Sequence, residues 1–393
     1  MPLTLPDGRP AMDGWSLDRR RRHVNHGSYG AVPIAAQQHR NRLREEMEAS
    51  PLTWFVAQPT AVAESRVAVA RFLSVPAEEL AFVGNASAGI TTVLSSMHLA
   101  PGDDIVVTDH GYGSVLAAAR RWAGRAGAQV RTARIPLDAD ADTAHDAVVN
   151  EFSDRTRLVI VDQITSGTAR YLPTIRVAQT ARARGIATLV DAAHAPGMLD
   201  RPSADFEGEY WVGNLHKFAC APRAVSALLA RGAHADALEP LIDSWGTGLA
   251  YPQRFDIQGT QDLTAAIASP TSFDYIEASW GWGRARAYMK ALADYAEQIL
   301  ADAVSAVTGC DARVDVGTPV PAMRLVGLPP GLADDPRAAG LLRDRVSAEL
   351  DLEAAFTSFS GVGRIRLSTH VYNTAADYEY FAECIPVIAG WAR

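Results

Sequence analysis

Lysine is rare in this chain, and one of its lysines lies in a segment that could do chemistry. Of 37 lysine and arginine residues, only Lys217 and Lys290 are lysines. Lys290 lies in the polar stretch RARAYMKALADYAEQ, which predicts a solvent-facing helix. Lys217 lies in YWVGNLHKFACAP, among aromatic and apolar residues. Because a partly buried lysine can lose its proton and arginine cannot, Lys217 is a candidate nucleophile for an aldehyde.

A carboxylate precedes this lysine by 26 residues. Asp191 ends the apolar segment ATLVD, which is typical of a buried strand, and a carboxylate there needs a cationic partner. The protonated ring nitrogen of pyridoxal 5'-phosphate (PLP), an aldehyde that bonds to lysine, is one such partner, and protonation makes the ring an electron sink. A helix cap or a nearby arginine is the alternative interpretation of Asp191.

Two further segments follow predicted strands and could bind the rest of a cofactor. Asn85-Ala86-Ser87 precedes a predicted helix, so its N–H groups and the Ser87 hydroxyl are suited to a phosphate; a plain helix cap is the alternative. Tyr112 follows the next strand and is suited either to stacking on a flat ring or to the core.

Several other polar residues are candidates for hydrogen bonds to a cofactor or substrate. His194, Asn214 and His216 lie near strand ends, as does Thr165, and each could equally be satisfied by a structural neighbour. Arg366 lies on the apolar segment GRIRLSTH, where its planar guanidinium is suited to two hydrogen bonds with an α-carboxylate. A structural ion pair is the alternative for Arg366.

The elements that must position these residues follow an alternating pattern. Amphipathic helices separate apolar runs that predict strands at 80–85, 103–109, 157–165, 187–194, 210–216 and 224–230. Apolar runs without alternation indicate a mostly parallel sheet covered on both faces. Ligands of such sheets bind beyond the carboxyl ends of the strands, where the candidate residues lie.

The pattern changes after Pro270 and predicts a second, smaller domain. A long helix is expected from about 272 to 307, followed by a strand, a helix, a hairpin and a last helix. A linker is expected somewhere in 245–272, which is rich in glycine, proline and threonine. We therefore predict an N-terminal arm at 1–22, a large cofactor-binding domain at 23–265 and a small α/β domain at 266–393.

The composition argues against several classes of protein. A net charge of −8 disfavours nucleic acid or an anionic membrane as a partner, and the 48% hydrophobic content is ordinary for a globular chain. The three cysteines, Cys220, Cys310 and Cys384, make neither a disulfide framework nor a metal cluster, which indicates a reducing, cytoplasmic compartment. We expect no targeting leader and no membrane span.

Five motifs together resemble one enzyme family. They are NHGSYGAVP (25–33), VDAAHAPG (190–197), GNLHKFACAP (213–222), GTQD (259–262) and RIRLSTHVYNT (364–374). In order and spacing they are similar to isopenicillin N epimerase-like enzymes of the class-V aminotransferase family, over about 23–390. The resemblance implies the α/β fold of fold-type I PLP transferases, a large domain with a mostly parallel seven-stranded sheet and a smaller C-terminal α/β domain.

The resemblance also implies roles for individual residues. Lys217 and Asp191 would be the catalytic lysine and the partner of the ring nitrogen. The implied cofactor-binding residues are Ala86, Ser87, Tyr112, Thr165, Asp191, His194, Asn214, His216, Lys217 and Thr260. Thr260 would reach the phosphate of a neighbouring subunit, which implies a homodimer with active sites at the interface. The implied substrate-binding residues are Asn25, Tyr29 and Arg366, and no metal is expected.

The reaction is less specified than the family. Gln261 stands where many relatives have arginine, and Gln163 where many have histidine, so the substrate need not be that of the penicillin enzyme. The leading hypothesis is a C–S lyase that acts by β-elimination on a cysteine or thiol conjugate in natural-product biosynthesis. The alternatives are an amino-acid epimerase, an aminotransferase or a decarboxylating deaminase. A non-catalytic PLP-binding scaffold is the alternative of another class.

Overall fold

The computed structural model describes residues 1–204 and 206–392, which form two compact units. The larger unit comprises 32–164 and 172–275, and the smaller comprises 1–31, 165–171 and 276–392. The domain boundaries expected from the sequence, at 22 and 265, stay a prediction.

Strands and helices are numbered in chain order. The strands are β1 (Arg22–His23), β2 (Leu80–Val83), β3 (Asp104–Thr108), β4 (Gln129–Ala133), β5 (Thr156–Asp162), β6 (Ala187–Asp191), β7 (Tyr210–Asn214), β8 (Ser226–Ala230), β9 (Met323–Gly327), β10 (Leu352–Glu353), β11 (Ala355–Phe359) and β12 (Val362–Ser368). The α-helices are α1 (His26–Tyr29), α2 (Ile34–Ala49), α3 (Pro51–Leu73), α4 (Ala86–Ser96), α5 (Gly113–Ala126), α6 (Ala141–Val149), α7 (Thr174–Ala183), α8 (Gly232–Asp236), α9 (Thr264–Trp280), α10 (Trp282–Thr308), α11 (Pro336–Leu350) and α12 (Ala375–Gly390).

The larger unit is built on a seven-stranded sheet in the order β2-β8-β7-β6-β5-β3-β4. Strand β8 runs antiparallel to both of its neighbours, and the remaining pairs are parallel. The mostly parallel α/β sheet predicted from the sequence is confirmed. The sequence pattern indicates six of the seven strands and misses β4, whose residues are mostly only partly buried.

Both faces of this sheet are covered, which explains the continuous apolar runs. Every residue of β3 is buried, and so is every residue of β7. Helix α4 packs closely on β7, since a Cβ at Gly89 would lie 2.8 Å from Val212 Cγ1. Because α4 begins directly after β2, its N-terminus lies beyond the carboxyl ends of the parallel strands.

The smaller unit contains an antiparallel sheet in the order β11-β12-β9 and a short parallel pair, β1 and β10. Helices α10 and α12 pack together over a core that includes Tyr378 and Phe381. The single helix expected from about 272 to 307 is instead two helices, α9 and α10. Gly281 separates them with a φ of 75°, a left-handed conformation that only glycine adopts without strain.

None of the described helices is both long enough and apolar enough to cross a membrane.

Candidate active site

Two buried carboxylates lie side by side where β5 and β6 end. Asp162 and Asp191 are register partners on these parallel strands. Burial is the main cause that raises the pKa of Asp162 well above its usual value, and the negative charge of Asp191 is the second cause. Burial also raises the pKa of Asp191, whereas a hydrogen bond from Ala193 N and the charge of Lys217 lower it. Asp162 therefore holds a proton more readily, and Asp191 is the carboxylate that ionises.

The loop after β6 places a histidine against the candidate lysine. His194 is buried, and its Nε2 lies 3.1 Å from Lys217 Nζ. Gly197 makes this arrangement possible, because its φ is 84° and a Cβ there would lie 2.3 Å from Phe218 O. The loop therefore packs directly on the main chain that follows Lys217.

Lys217 itself follows β7 in a turn that is fixed by main-chain hydrogen bonds. Cys220 N donates to Lys217 O at 2.9 Å, and Ala221 N donates to Leu215 O at 2.9 Å. His216, the preceding residue, bonds through Nδ1 to Val225 O at 3.1 Å. Burial lowers the pKa of His216 to about 4, so its ring is neutral at neutral pH.

The N-termini of α4 and α5 meet at the same edge of the sheet. Asn85 caps α4 by accepting a hydrogen bond from Ala88 N, so the cap is Asn85 rather than Ser87. Ser87 Oγ on α4 lies 3.0 Å from Ser114 Oγ on α5. Tyr112 is the N-cap residue of α5; its side chain is half exposed and makes no cap hydrogen bond. Two helix N-termini close together offer N–H groups and hydroxyls to an anion.

Asn214, at the end of β7, holds the start of α4 in place. Its Oδ1 accepts hydrogen bonds from Ala86 N at 2.9 Å and from Ser226 Oγ at 2.6 Å. Ala86 and Asn214, both expected to bind the cofactor, are thus bonded to each other. Asn214 therefore fixes the position of the α4 N-terminus relative to the end of β7.

The donor set of the larger unit fits PLP. A buried carboxylate, Asp191, suits the protonated ring nitrogen, and an amine, Lys217, suits the aldehyde. The paired helix N-termini at Ser87 and Ser114 suit the phosphate. One partner for each polar end of the cofactor is therefore present within a single unit.

Thr165 lies in the smaller unit, in a tight turn. Its Oγ1 lies 2.6 Å from Thr168 Oγ1 and accepts a hydrogen bond from Arg170 N at 3.1 Å. The side chain is fully buried, so it helps to fix this turn.

Arg366, on β12, is held by neutral oxygens within the smaller unit. Its Nη1 donates to Ser166 O at 2.9 Å and to Ser166 Oγ at 3.3 Å. Its Nη2 donates to Asn25 Oδ1 at 2.9 Å and to Ser28 Oγ at 2.7 Å. These four acceptors are uncharged oxygens that orient the guanidinium, and the planar guanidinium is suited to two hydrogen bonds with a carboxylate. Tyr29, at the end of α1, is exposed.

The two residues that depart from the motifs of the resembling enzymes, Gln163 and Gln261, lie in two different settings. Gln163 is structural, since its Nε2 donates to Pro202 O at 2.8 Å and its Oε1 accepts from Trp211 Nε1 at 3.1 Å. Gln261 lines a mostly apolar cavity of about 390 Å³ whose lining includes neither Lys217 nor Asp191. Thr260, beside it, is exposed.

The structure adds functional candidates that the sequence analysis missed. They are Asp162, Ser114, Ser28 and Ser166. Asp162 carries a recognisable signal, because VD ends β5 just as VD ends β6. The three serines carry no signal of their own, since only the fold brings them to Ser87 and Arg366.

Comparison with known proteins identifies relatives along nearly the whole chain. The model of the class-V aminotransferase family matches residues 53–315. An isopenicillin N epimerase of Streptomyces clavuligerus is 28% identical over 99% of this chain and 100% of its own. That of Amycolatopsis lactamdurans is 30% identical over 94% and 96%. A probable L-cysteine desulfhydrase of Arabidopsis thaliana, described as chloroplastic, is 24% identical over 92% and 82%.

A solved structure shares the fold. The cystine C–S lyase in complex with its product cysteine persulfide has a TM-score of 0.80 at 17% identity, over 93% of this chain and 97% of that chain.

Proposed function

This chain belongs to the class-V aminotransferase family and is a PLP-dependent enzyme, and we propose that it breaks the carbon–sulfur bond of a cysteine or thiol conjugate. The reaction is a β-elimination in which the Cα–H and Cβ–S bonds break. With one water consumed, a cysteine conjugate gives a thiol, pyruvate and ammonia. A role in natural-product biosynthesis is part of the proposal.

The observation that carries the proposal is the 3.1 Å contact between Lys217 Nζ and His194 Nε2. PLP, when bound, withdraws electrons from the Cα of the amino acid that it holds. Neutral Lys217 takes the Cα proton, and the resulting ammonium donates a hydrogen bond to His194 Nε2. His194 therefore stabilises Lys217 after the transfer. Asp191, ionised beside a protonated Asp162, holds the ring nitrogen.

Substrate binding is assigned to the smaller unit. Arg366 binds the α-carboxylate through its terminal nitrogens, and Asn25 orients Arg366 rather than the substrate, because its Oδ1 accepts from Nη2. In the larger unit, Ser87 and Ser114 would hold the phosphate of the cofactor and Tyr112 would stack on its ring. β-Elimination needs one base on one face, and Lys217 with His194 supplies it.

Epimerisation is the second candidate, and the identity of 28% and 30% to two isopenicillin N epimerases favours it. It requires a proton donor on the face of Cα opposite Lys217. The two reactions share proton removal and differ in their products, so the products decide between them.

The test is a product screen on the purified enzyme with cysteine, cystine and S-alkyl cysteines. We expect pyruvate in equal amounts with the sulfur product, which is hydrogen sulfide from cysteine, cysteine persulfide from cystine and a thiol from an S-alkyl cysteine, and loss of both products in Lys217→Ala. Lys290→Ala is the matched control, because Lys290 is exposed and pairs only with Asp294 along its helix in the described contacts. Inverted chirality without thiol would replace the lyase proposal with epimerisation. Unchanged cellular function in Lys217→Ala would favour a scaffold.

A homodimer with active sites at the interface is also part of the proposal. Apolar side chains between β8 and α9 are exposed, namely Leu241, Ile242, Trp245 and Leu249, and Trp245 is 91% exposed. Thr260 lies exposed in the same region, where a partner could reach it. Light scattering should give a dimer that Trp245→Asp weakens and the surface control Leu341→Asp does not. A wild-type monomer at all concentrations would contradict this.

We further propose a cytoplasmic location. No disulfide joins Cys220, Cys310 and Cys384 in the described residues, which supports a reducing compartment. Fractionation of the native cells, with the enzyme assayed in each fraction, tests this.

A further inference from the structure

The terminal nitrogens of Arg366 make four described hydrogen bonds, two from each nitrogen. Nη1 carries two bonds, both to Ser166, and Nη2 carries two, to Asn25 and Ser28. A guanidinium has two N–H groups on each terminal nitrogen. A substrate carboxylate that binds both terminal nitrogens must therefore replace acceptors that are already present.

Two of the four acceptors are fixed by other bonds. One is the main-chain oxygen of Ser166. The other is Asn25 Oδ1, because Asn25 Nδ2 contacts Ala354 O at 3.5 Å and the Asn25 main chain bridges to Ser368 beside β12. The Ser166 oxygen cannot turn away without moving the chain, and the Asn25 amide is held at its other end by the contact of Nδ2 with Ala354 O.

The other two acceptors are serine hydroxyls, one on each terminal nitrogen. Ser166 Oγ makes the longest of the four bonds, at 3.3 Å. Ser28 Oγ bonds to Nη2 at 2.7 Å and donates to Asn25 Oδ1 at 2.7 Å. A serine hydroxyl leaves its acceptor by rotation about one side-chain bond. A carboxylate also presents one oxygen to each terminal nitrogen, and its charge makes stronger hydrogen bonds than a hydroxyl.

We propose that the hydroxyls of Ser28 and Ser166 are exchangeable place-holders for the substrate carboxylate. They satisfy the terminal nitrogens of Arg366 in the substrate-free site and are displaced by the two carboxylate oxygens. Asn25 Oδ1 and Ser166 O stay bound and keep the guanidinium oriented. Ser28 and Ser166 thereby favour ligands that carry a full carboxylate over uncharged analogues. The inference rests on the proposed function, because it takes Arg366 as the carboxylate site.

The test compares two probes on the PLP-loaded enzyme by calorimetry. L-Alanine carries a carboxylate and no leaving group at Cβ, and L-alaninamide replaces that carboxylate with a neutral amide. We expect Ser28→Ala and Ser166→Ala to leave the dissociation constant of L-alanine equal or lower, because both hydroxyls are absent from the bound complex. Asn25→Ala should raise it about tenfold, since a retained bond to a charged group is lost.

Each result distinguishes displacement of the serine hydroxyls by the carboxylate from a purely structural role of the two serines. A rise of tenfold in Ser28→Ala with L-alanine would overturn the exchange at Nη2. Ser166→Ala keeps the main-chain oxygen and repeats the test at Nη1, should Ser28→Ala fold poorly. A purely structural role would raise the constants of both probes together, which would also overturn the exchange.

Arg366→Met separates this inference from the proposed function. If it leaves L-alanine binding unchanged, the carboxylate site itself is wrongly assigned. If Arg366→Met weakens the binding of L-alanine more than that of L-alaninamide, and Ser28→Ala also weakens the binding of L-alanine, only the exchange is wrong.

Discussion

The buried pair Asp162 and Asp191 makes a specific prediction for the substitution Asp162→Asn in the cofactor-free protein. The folded chain raises the pKa of Asp162 above its usual 3.8, so it keeps a proton that the unfolded chain has lost. The free energy of unfolding therefore falls as pH rises from about 3.8 to the raised pKa. One retained proton corresponds to about 1.4 kcal/mol per pH unit.

Asparagine removes this pH dependence, because it mimics the protonated acid at every pH. Urea unfolding between pH 5 and 8 should give a flatter stability profile for Asp162→Asn, by up to about 1.4 kcal/mol per pH unit. Asp243→Asn, an exposed control, should keep the wild-type slope. Parallel profiles for wild type and Asp162→Asn would refute the assignment of the retained proton.

Three further predictions concern buried contacts of the larger unit. Gly197→Ala, at a φ of 84° and against a main-chain carbonyl, should lower the free energy of unfolding by about 1–3 kcal/mol and also lower activity, measured by calorimetry and assay. Asn214→Ala, which releases Ala86 N, should weaken PLP binding about tenfold in a fluorescence titration of the cofactor-free protein. Arg66→Met should cost about 3–5 kcal/mol in urea unfolding, because it leaves Asp256 buried without its ion-pair partner. Wild-type values in any of these would contradict the contact concerned.

The sheet could be predicted from the sequence wherever burial is complete. Strands β3 and β5–β8 are short, mostly apolar and mostly buried segments, and this length and composition are typical of strands in a covered sheet. Strand β4 reads QVRTA and was missed, because an edge strand pairs on one side only and tolerates polar residues. The break at Gly281 was missed because a single glycine is also tolerated inside a helix.

The site could be predicted in part. Lys217 and Asp191 carry their own signals, namely an isolated lysine and an acid that ends an apolar run. Asp162 was missed because its importance depends on the register between β5 and β6, which the sequence does not specify. Ser28 and Ser166 were missed because their contacts with Arg366 join segments 200 or more residues apart.

The central claim is that Lys217 forms the covalent bond to PLP, and borohydride tests it most directly. Reduction fixes the bond between the lysine and the cofactor, and peptide mass spectrometry then locates it. Because the chain has two lysines, the assignment is a choice between Lys217 and Lys290. We expect the phosphopyridoxyl mass on the peptide that contains Lys217 and not on the one that contains Lys290. Label on Lys290 alone, or an unlabelled Lys217 in PLP-saturated protein, would contradict the claim.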